Sequence, residues 1–325
     1  MRTGSFWLLT ALLLASACSN DEAAETTTTT RAEVDANGEG EGAKADGSEP
    51  APGPDALAAL SAVEVDPDEV LIVQGSKMAL NPDDLVVSKV IKRDGIWEPL
   101  ESNLFFSELK PGEVVVDAGA NIGYYTLLAA RLVGPTGHVY AFEPEPEAVA
   151  LLRRNVALNG YDNVTVVPKA LGREAGTLQL FLAKKNRGDH RIYDPSGKRE
   201  AIDVEVVALD DYLETQGVTH VDLMKIDTQG AECTILAGAQ RLIANHPELA
   251  IIMEYTPHSL VAMGEEPKDC LEGLAGAGYV FRDIREWEHR LTDTDVETLL
   301  RSYSREDHKQ FTNLFLPARG EAAGR

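Results

Sequence analysis

Apolar and polar positions follow two different periods along most of the chain. From about Val70 onward, short apolar runs typical of β-strands alternate with longer segments of helical periodicity. This alternation favours a parallel sheet covered by helices on both faces. The pattern predicts helices at 124–133, 147–159, 232–245 and 268–277 and main strands at 113–117, 138–143, 163–167, 221–227, 249–254, 279–282 and 312–316.

A second strand pair, 177–182 with 202–207, falls between the third and fourth main strands. Because this pair interrupts the alternation of main strands and helices, we interpret it as an antiparallel excursion from the main sheet. The predicted fold class is therefore α/β, a doubly wound Rossmann-like sheet with an antiparallel excursion and an antiparallel last strand.

The first residues of the chain follow neither period. Residues 1–17 combine Arg2, an apolar run and small residues directly before Cys18, a profile that resembles a bacterial signal peptide ending in a lipobox. We expect export, lipidation of Cys18 and anchoring to a membrane on the periplasmic or outer-membrane side. A plain secretory signal or a misassigned start codon is the alternative, and the protein stays in the cytoplasm if the signal is not used.

Charge is distributed unevenly along the chain. Of 325 residues, 53 are acidic and 30 are basic, which gives a formal net charge of −23 and argues against a nucleic-acid partner. About half of the excess lies at 19–70, where 14 acids face two bases and branched apolar residues are scarce. Such a segment buries too little apolar surface to offset the entropy of ordering, so we expect a disordered tether.

These observations predict five regions. They are a signal at 1–17, the lipidated cysteine and acidic linker at 18–69, a lead-in segment at 70–112, the α/β domain at 113–318 and a tail at 319–325. Three scattered cysteines do not form a metal site, so no metal is expected. Cys233 and Cys270 lie among apolar helical positions and are interpreted as buried small hydrophobes, with a disulfide in an oxidising compartment as the alternative.

The turn after the first main strand reads DAGANIG and has the form D-x-G-x-x-x-G. Gly119 and Gly123, with Asn121 between them, allow a ligand to approach the backbone closely. Asp117 replaces the first glycine of the G-x-G-x-x-G dinucleotide motif, which weakens the alternative of an NAD-linked oxidoreductase. A carboxylate here suits the ammonium group of an amino acid, and S-adenosylmethionine (SAM) carries one.

Two further positions favour a nucleoside ligand. Glu143 ends the second strand about twenty residues after the glycine turn, where a carboxylate can accept both hydrogen bonds of a ribose diol. The chain near Ala170, after the third strand, is suited to contact the flat face of adenine.

Over roughly 95–316 the sequence resembles the FkbM family of SAM-dependent methyltransferases. The resemblance is carried by the glycine turn, by AFEP at 141–144, by LDDY at 209–212 and most specifically by VDLMKIDTQGAE at 221–232. It implies a class I methyltransferase sheet at 113–318 and SAM as cofactor. It also implies methyl transfer to a hydroxyl on a sugar, polyketide or other small acceptor.

Methyl transfer to an alcohol needs a group that removes the hydroxyl proton. Asp227 follows the fourth main strand, and we expect it to act as base or orienting group, with Lys225 and Glu232 shaping the same pocket. A structural Lys225–Asp227 pair, and a Glu232 that only stabilises its helix start, are the alternatives. Further acceptor-side candidates are Glu254, which ends the fifth strand, and then His258 and His190. Asp210 is either a cofactor contact or a helix cap.

Export and SAM chemistry fit together badly, because SAM is made in the cytoplasm. The alternative function is a surface-tethered binding module, a pseudo-methyltransferase without catalysis. The combination of Asp117, Gly119, Gly123 and Glu143 favours the enzyme. Acceptor contacts are expected from 184–195 and 256–267, and the sequence predicts no oligomeric state.

Overall fold

The computed structural model describes residues 70–194 and 197–319. The predicted signal peptide, lipidated Cys18 and acidic linker lie outside the described residues. Within the described part of the chain, no helix is both long and apolar enough to cross a bilayer.

Thirteen strands and ten α-helices make up the described structure. The strands are β1 Val70–Val73, β2 Ser76–Ala79, β3 Val114–Ala118, β4 His138–Phe142, β5 Val164–Val167, β6 Ala170–Gly172, β7 Gly176–Phe181, β8 Ala201–Ala208, β9 Leu223–Ile226, β10 Ala250–Tyr255, β11 Phe281–Arg285, β12 Arg290–Thr294 and β13 Thr312–Leu316. The helices are α1 Val87–Asp94, α2 Pro99–Glu108, α3 Tyr124–Val133, α4 Pro146–Asn159, α5 Leu209–Thr215, α6 Glu232–Ala237, α7 Gln240–Asn245, α8 Pro257–Ala262, α9 Pro267–Gly276 and α10 Val296–Ser302.

The main sheet has eight strands in the order β12-β11-β13-β10-β9-β3-β4-β5. Strands β10, β9, β3, β4 and β5 pair in parallel, whereas β13 runs antiparallel to both β10 and β11. The predicted doubly wound sheet with an antiparallel last strand is therefore confirmed.

Helices cover both faces of this sheet because its central strands are apolar on both sides. Val115, Leu223 and Ile252 pack in one core with helices α1 to α4. Their neighbours Val116 and Met224 pack in the opposite core with helices α5 to α10. Strands buried on both faces read as continuous apolar runs, which is the pattern that the sequence shows.

A separate three-stranded sheet, ordered β6-β8-β7, forms the excursion. Strands β7 and β8 pair antiparallel as predicted, and β6 adds a parallel partner that the sequence pattern did not indicate.

The structure departs from the predicted elements in several places. The segment 70–112, for which no elements were predicted, contains β1, β2, α1 and α2. The helix predicted over 232–245 is two helices, α6 and α7, which meet at Gly238. A Cβ at Gly238 would lie 2.0 Å from the Gly172 carbonyl oxygen, so close packing against β6 fixes this break. The strand predicted at 279–282 is shifted to β11, and the hairpin strand β12 and helix α10 were not predicted.

Cys233 and Cys270 form a disulfide between α6 and α9, so the interpretation as two free buried thiols is wrong. Both helices pack on the same face of the sheet, which brings the two sulfur atoms together across a sequence separation of 37. Apolar neighbours alone did not distinguish a buried thiol from half of a buried disulfide.

We predict that removing this bond in Cys233→Ala/Cys270→Ala lowers the free energy of unfolding by about 3–4 kcal/mol, because the unfolded chain gains the entropy of an open loop. Urea unfolding of the folded domain measures the change. Reductant should destabilise the wild-type protein by a similar amount and leave the double variant unaffected. A wild-type unfolding midpoint that reductant does not move would contradict the prediction.

Candidate active site

One cavity of about 620 Å³ opens at the carboxyl ends of β3, β4, β9 and β10. Its floor is the set of turns that follow these strands. The segment before α2 and the loop between β7 and β8 form part of its walls, through residues that include Trp97, Glu98, Arg187, His190 and Arg191. The turn after β11 and the segment before β13 also line it. In open α/β sheets, ligands bind at this edge, where neighbouring connections leave on opposite faces.

The glycine turn is fixed by the protein's own packing. Gly119 has a φ of +84°, and a Cβ there would lie 1.9 Å from the carbonyl oxygen of Asp227. Gly123 has a φ of +96° and packs against Leu152. We expected these glycines to make room for a ligand. At Gly119 the neighbouring strand's backbone is what excludes a side chain, and this contact joins the β3 and β9 turns into one floor.

Asp117 lies at the centre of this floor and lines the cavity. Its side chain is buried, and its Oδ2 accepts a 2.6 Å hydrogen bond from the Thr126 hydroxyl. Burial raises the pKa of Asp117, although Lys225 and Thr126 favour the charged form. The carboxyl therefore faces the cavity in surroundings that favour a cationic partner.

Glu143 follows β4 and organises the adjacent turn. Its Oε2 accepts from the backbone N–H of Asn121 at 2.8 Å, and its Oε1 accepts from the N–H of Glu145 at 2.8 Å. Asn121, with a φ of 49°, thus contributes through its backbone. Burial raises the pKa of Glu143 to about 7. Each carboxylate oxygen has a second lone pair, so Glu143 can also accept from a ligand diol.

An apolar wall lies beside Glu143. Ala170 begins β6 and lines the cavity together with Phe142, Leu171 and Ile235. These side chains form a surface that suits a flat heteroaromatic ring.

The carboxyl groups of Asp227 and Glu254 lie at the other end of the floor, and the side-chain amide of Gln229 is hydrogen-bonded to both. Gln229, in the left-handed region with a φ of 56°, donates to Asp227 Oδ1 at 3.3 Å and to Glu254 Oε1 at 3.1 Å. Glu254 is 8% exposed, and its Oε2 is buried without a hydrogen-bond partner. Burial, with the neighbouring charges of Asp227 and Glu232, raises the pKa of Glu254 well above its ordinary value.

Lys225 is buried beneath these acids. Its Nζ lies 3.2 Å from Asp227 Oδ2, 3.4 Å from Glu101 Oε1 and 4.4 Å from the centre of the Tyr125 ring. Burial lowers the pKa of Lys225, but the surrounding carboxylates, led by Asp227 and Glu101, outweigh it, so the net shift is upward. The Lys225–Asp227 pair is thus present, in contact with the cavity.

Two further acids near Lys225, Glu98 and Glu101, were not predicted as site residues. Glu98 precedes α2 and receives hydrogen bonds of 3.3 Å from the Tyr125 hydroxyl and from the Asn313 amide. Burial and the charge of Glu101 raise the pKa of Glu98 well above its ordinary value. Both residues precede the first main strand, and no motif marked them. Two acids at the start of a mixed apolar and polar helix do not mark a site by themselves.

Glu232 supports the floor from below. Its Oε1 accepts from Thr228 N at 3.0 Å, from Thr228 Oγ1 at 3.0 Å and from Gly230 N at 3.1 Å. This carboxyl, the first residue of α6, holds the turn that carries Asp227 and Gln229. It does not itself line the cavity.

The remaining candidates are placed differently. His258 is outside the cavity lining, and its Nδ1 lies 3.3 Å from the Arg305 carbonyl oxygen, so it is not brought together with Asp227 and Glu254. Asp210 is also outside the lining; it accepts from the N–H groups of Arg241 and Leu242, which caps α7.

His190 lines the cavity as a neutral donor. Its Nδ1 accepts from the N–H of Ala183 at 3.0 Å, so the proton lies on Nε2. Burial lowers the pKa of His190 to about 4, which leaves it uncharged at neutral pH. The ring nitrogen that could take up a proton, Nδ1, already accepts a hydrogen bond. His190 is therefore not suited to act as a base. Within 70–194 and 197–319, no group of His, Cys, Asp and Glu is arranged to hold a metal ion.

Known proteins are similar to part of this chain in sequence. A methyltransferase of Beauveria bassiana, "Methyltransferase 1", is 32% identical over 143 residues, which cover 38% of this chain and 57% of that protein. The 31-O-demethyl-FK506 methyltransferase FkbM of Streptomyces tacrolimicus is 29% identical, over 41% of this chain and 62% of that protein. The 2-O-methyltransferase NoeI of Sinorhizobium fredii is 28% identical, over 46% of this chain and 69% of that protein.

The chain thus spans somewhat over half the length of the first of these relatives. The model of the Methyltransferase FkbM domain matches residues 117–288, more than half of the chain. This range contains the glycine turn, Glu143, Asp227 and Glu254. The match confirms the predicted family and, for this domain, the enzyme class and the SAM cofactor. The chain therefore belongs to the FkbM methyltransferase family.

Proposed function

We propose that this protein is a SAM-dependent O-methyltransferase that acts on a hydroxyl of a sugar or another small molecule. The observation that carries the proposal is the Gln229-bridged pair of Asp227 and Glu254, which lies in the same cavity as Asp117 and Glu143. Two relatives are named for methylation at oxygen, FkbM for position 31-O and NoeI for 2-O, which supports a hydroxyl acceptor.

The residues fit SAM as it would lie across the strand ends. Glu143 provides acceptors for the ribose diol, Asp117 provides a carboxyl for the ammonium group, and the wall around Ala170 suits adenine. The cavity of about 620 Å³ lies within the range of small-molecule sites, about 300–1,000 Å³, and leaves room for an acceptor.

SAM supplies the methyl group, whose C–S bond breaks towards sulfur as the acceptor oxygen forms the C–O bond and gives up its proton. Two carboxyl groups are placed to take that proton. Glu254 is the better base, because its raised pKa makes its carboxylate more basic than an ordinary one and its Oε2 has no other partner. Asp227, held by Lys225 and Gln229, orients the acceptor beside it.

We predict that Glu143→Gln weakens SAM binding by about tenfold or more, because one of the two acceptors for the ribose diol becomes a donor. Titration calorimetry with SAM measures the change. Asp210→Asn is the matched control, since Asp210 caps α7 outside the cavity, and it should bind SAM like the wild type. Unchanged affinity in Glu143→Gln would contradict the assignment of the ribose site.

We predict that Glu254→Gln lowers kcat/KM by a factor on the order of 10²–10⁴, the typical contribution of a positioned base. Transfer of radiolabelled methyl from SAM to a panel of methyl glycosides provides the assay. In the wild type, kcat/KM should rise with pH along a limb that lies above the ordinary carboxyl range, because Glu254 acts when deprotonated.

Asp227→Asn should move this limb to lower pH, since the charge of Asp227 raises the pKa of Glu254. A limb that stays in place, or full turnover in Glu254→Gln, would remove Glu254 as the base. SAM binding without transfer to any hydroxyl acceptor, glycoside or other, is the result expected of the non-catalytic binding module instead.

We also propose that the protein is exported and anchored through Cys18. The Cys233–Cys270 disulfide supports this location, because disulfides persist in oxidising compartments and are rare in the bacterial cytoplasm. The sequence at 1–18 is the second support. A SAM supply outside the cytoplasm is a requirement of this proposal.

We predict that the full chain incorporates radiolabelled palmitate and sediments with membranes, whereas Cys18→Ser incorporates none. Alkylation with a maleimide polymer before and after reduction should show Cys233 and Cys270 protected until reductant is added. An unprocessed soluble chain whose two thiols react without reductant would contradict export.

A further inference from the structure

The acceptor end of the cavity holds more negative charge than the protein's own cations balance. Four carboxyl groups act on the ammonium of Lys225, from Asp227, Glu101, Glu98 and Asp117. Glu254 is joined to this group through the Gln229 amide, which also binds Asp227. Lys225 is already paired with Asp227 and Glu101. The nearby guanidinium of Arg191 is bound to Asp189 at 2.7 Å. This end of the cavity therefore favours a cationic ligand.

Glu254 provides a second, independent sign of a ligand. It is 92% buried and lines the cavity, yet Gln229 reaches only its Oε1 and its Oε2 has no partner. A buried carboxylate oxygen without a partner is costly in free energy. A cation or donor brought by the ligand would remove this cost.

The strand order places this charge beside the reacting group. Across the floor, β10, β9, β3 and β4 bring Glu254, Asp227, Asp117 and Glu143 to the edge in that sequence. With the ribose at Glu143 and the amino acid at Asp117, as in the proposed function, the sulfur would lie between these two sites. Its methyl group has to point at the acceptor for transfer, so the methylsulfonium would face the side of Asp227 and Glu254.

We infer that Glu254, together with Asp227 and Glu98, selects the positively charged sulfonium of SAM over the neutral thioether of S-adenosylhomocysteine. This inference rests on the proposed function. The preference weakens binding of the spent cofactor, because the attraction to the carboxylates disappears with the charge on sulfur. These residues thus determine specificity for the charged form of the cofactor.

Protonation of these carboxyl groups determines how strongly the site prefers SAM over S-adenosylhomocysteine. The charged groups that face Glu254 are Asp227 after β9, Glu232 on α6, Arg191 in the loop between β7 and β8, and Glu98 before α2. Three of these four neighbours are acids, and burial adds to their effect on Glu254. As pH falls, Glu254 and Glu98 take up protons before ordinary carboxyls do, and the preference for a cation decreases.

Titration calorimetry of the full chain with three ligands tests the inference. SAM, S-adenosylhomocysteine and sinefungin share the adenosyl and amino-acid groups, and sinefungin carries an ammonium where SAM has its methylsulfonium. At pH 7.5 we expect SAM and sinefungin to bind at least about tenfold more tightly than S-adenosylhomocysteine. At a lower pH, at which the domain still folds, the ratio should be smaller, because Glu254 takes up a proton before ordinary carboxyls do.

A charge-neutralising variant locates the effect. At pH 7.5, Glu254→Gln should lower the preference, the dissociation constant of S-adenosylhomocysteine divided by that of SAM, by about threefold or more. It should not weaken the binding of S-adenosylhomocysteine. Glu288→Gln is the matched control, because Glu288 lines the cavity rim with a 51% exposed side chain, where solvent screens its charge. Its ratio should equal that of the wild type.

The outcomes separate this inference from the proposed function. Equal affinities of SAM and S-adenosylhomocysteine at both pH values would overturn the inference while SAM binding still stands. Sinefungin binding as weakly as S-adenosylhomocysteine would also overturn it, because charge would then not be the cause. If none of the three ligands binds, the proposed function itself fails. The wild-type comparison needs no variant, so misfolding of Glu254→Gln leaves the test intact.

Discussion

The close contact between the backbones of the β3 and β9 turns sets the geometry of the whole site. Gly119 lies where any side chain would overlap the Asp227 carbonyl oxygen, and Asp227 N donates back to the Ala118 carbonyl at 3.0 Å. This contact brings the two strand ends to one surface. It places the cofactor-side acid Asp117 and the acceptor-side acid Asp227 within a single cavity, which neither strand could form alone.

Buried charge is the second constraint on this site. A group of carboxyls in a partly desolvated cavity is unfavourable unless cations or donors compensate it. Lys225, Gln229 and Tyr125 provide part of that compensation, and each contacts a member of the cluster. Burial, together with the remaining imbalance of charge, raises the pKa of Glu254 and of Glu98. The same imbalance therefore links the proposed base to the proposed preference for a cationic cofactor.

Much of the sheet could be predicted from the sequence because its central strands are buried on both faces. Continuous apolar runs, with glycine or acidic turns after them, located β3, β4, β9 and β10 and the residues at their ends. The last strand, β13, was also recognisable. These elements depend on local patterns, so a single sequence contains enough information to find them.

The features that could not be predicted depend on contacts between distant segments. Glu101 enters the site from α2 and Glu98 from the residue before it, both ahead of β3 in the chain. The break between α6 and α7 results from packing of Gly238 against β6, and the disulfide results from the placement of α6 beside α9. His258 follows the Glu254 strand closely in sequence, yet α8 carries it away from the cavity. Sequence proximity to a strand end did not determine which side chains face the cavity.

The central claim is that one cavity holds the nucleoside on Glu143 and the amino acid on Asp117. A crystal structure of the domain with S-adenosylhomocysteine tests it most directly. We expect both ribose hydroxyls within hydrogen-bond distance of the Glu143 carboxylate, and the sulfur on the side of Asp227 and Glu254. Density for the ligand at another place, or with the ribose turned away from Glu143, would contradict the account.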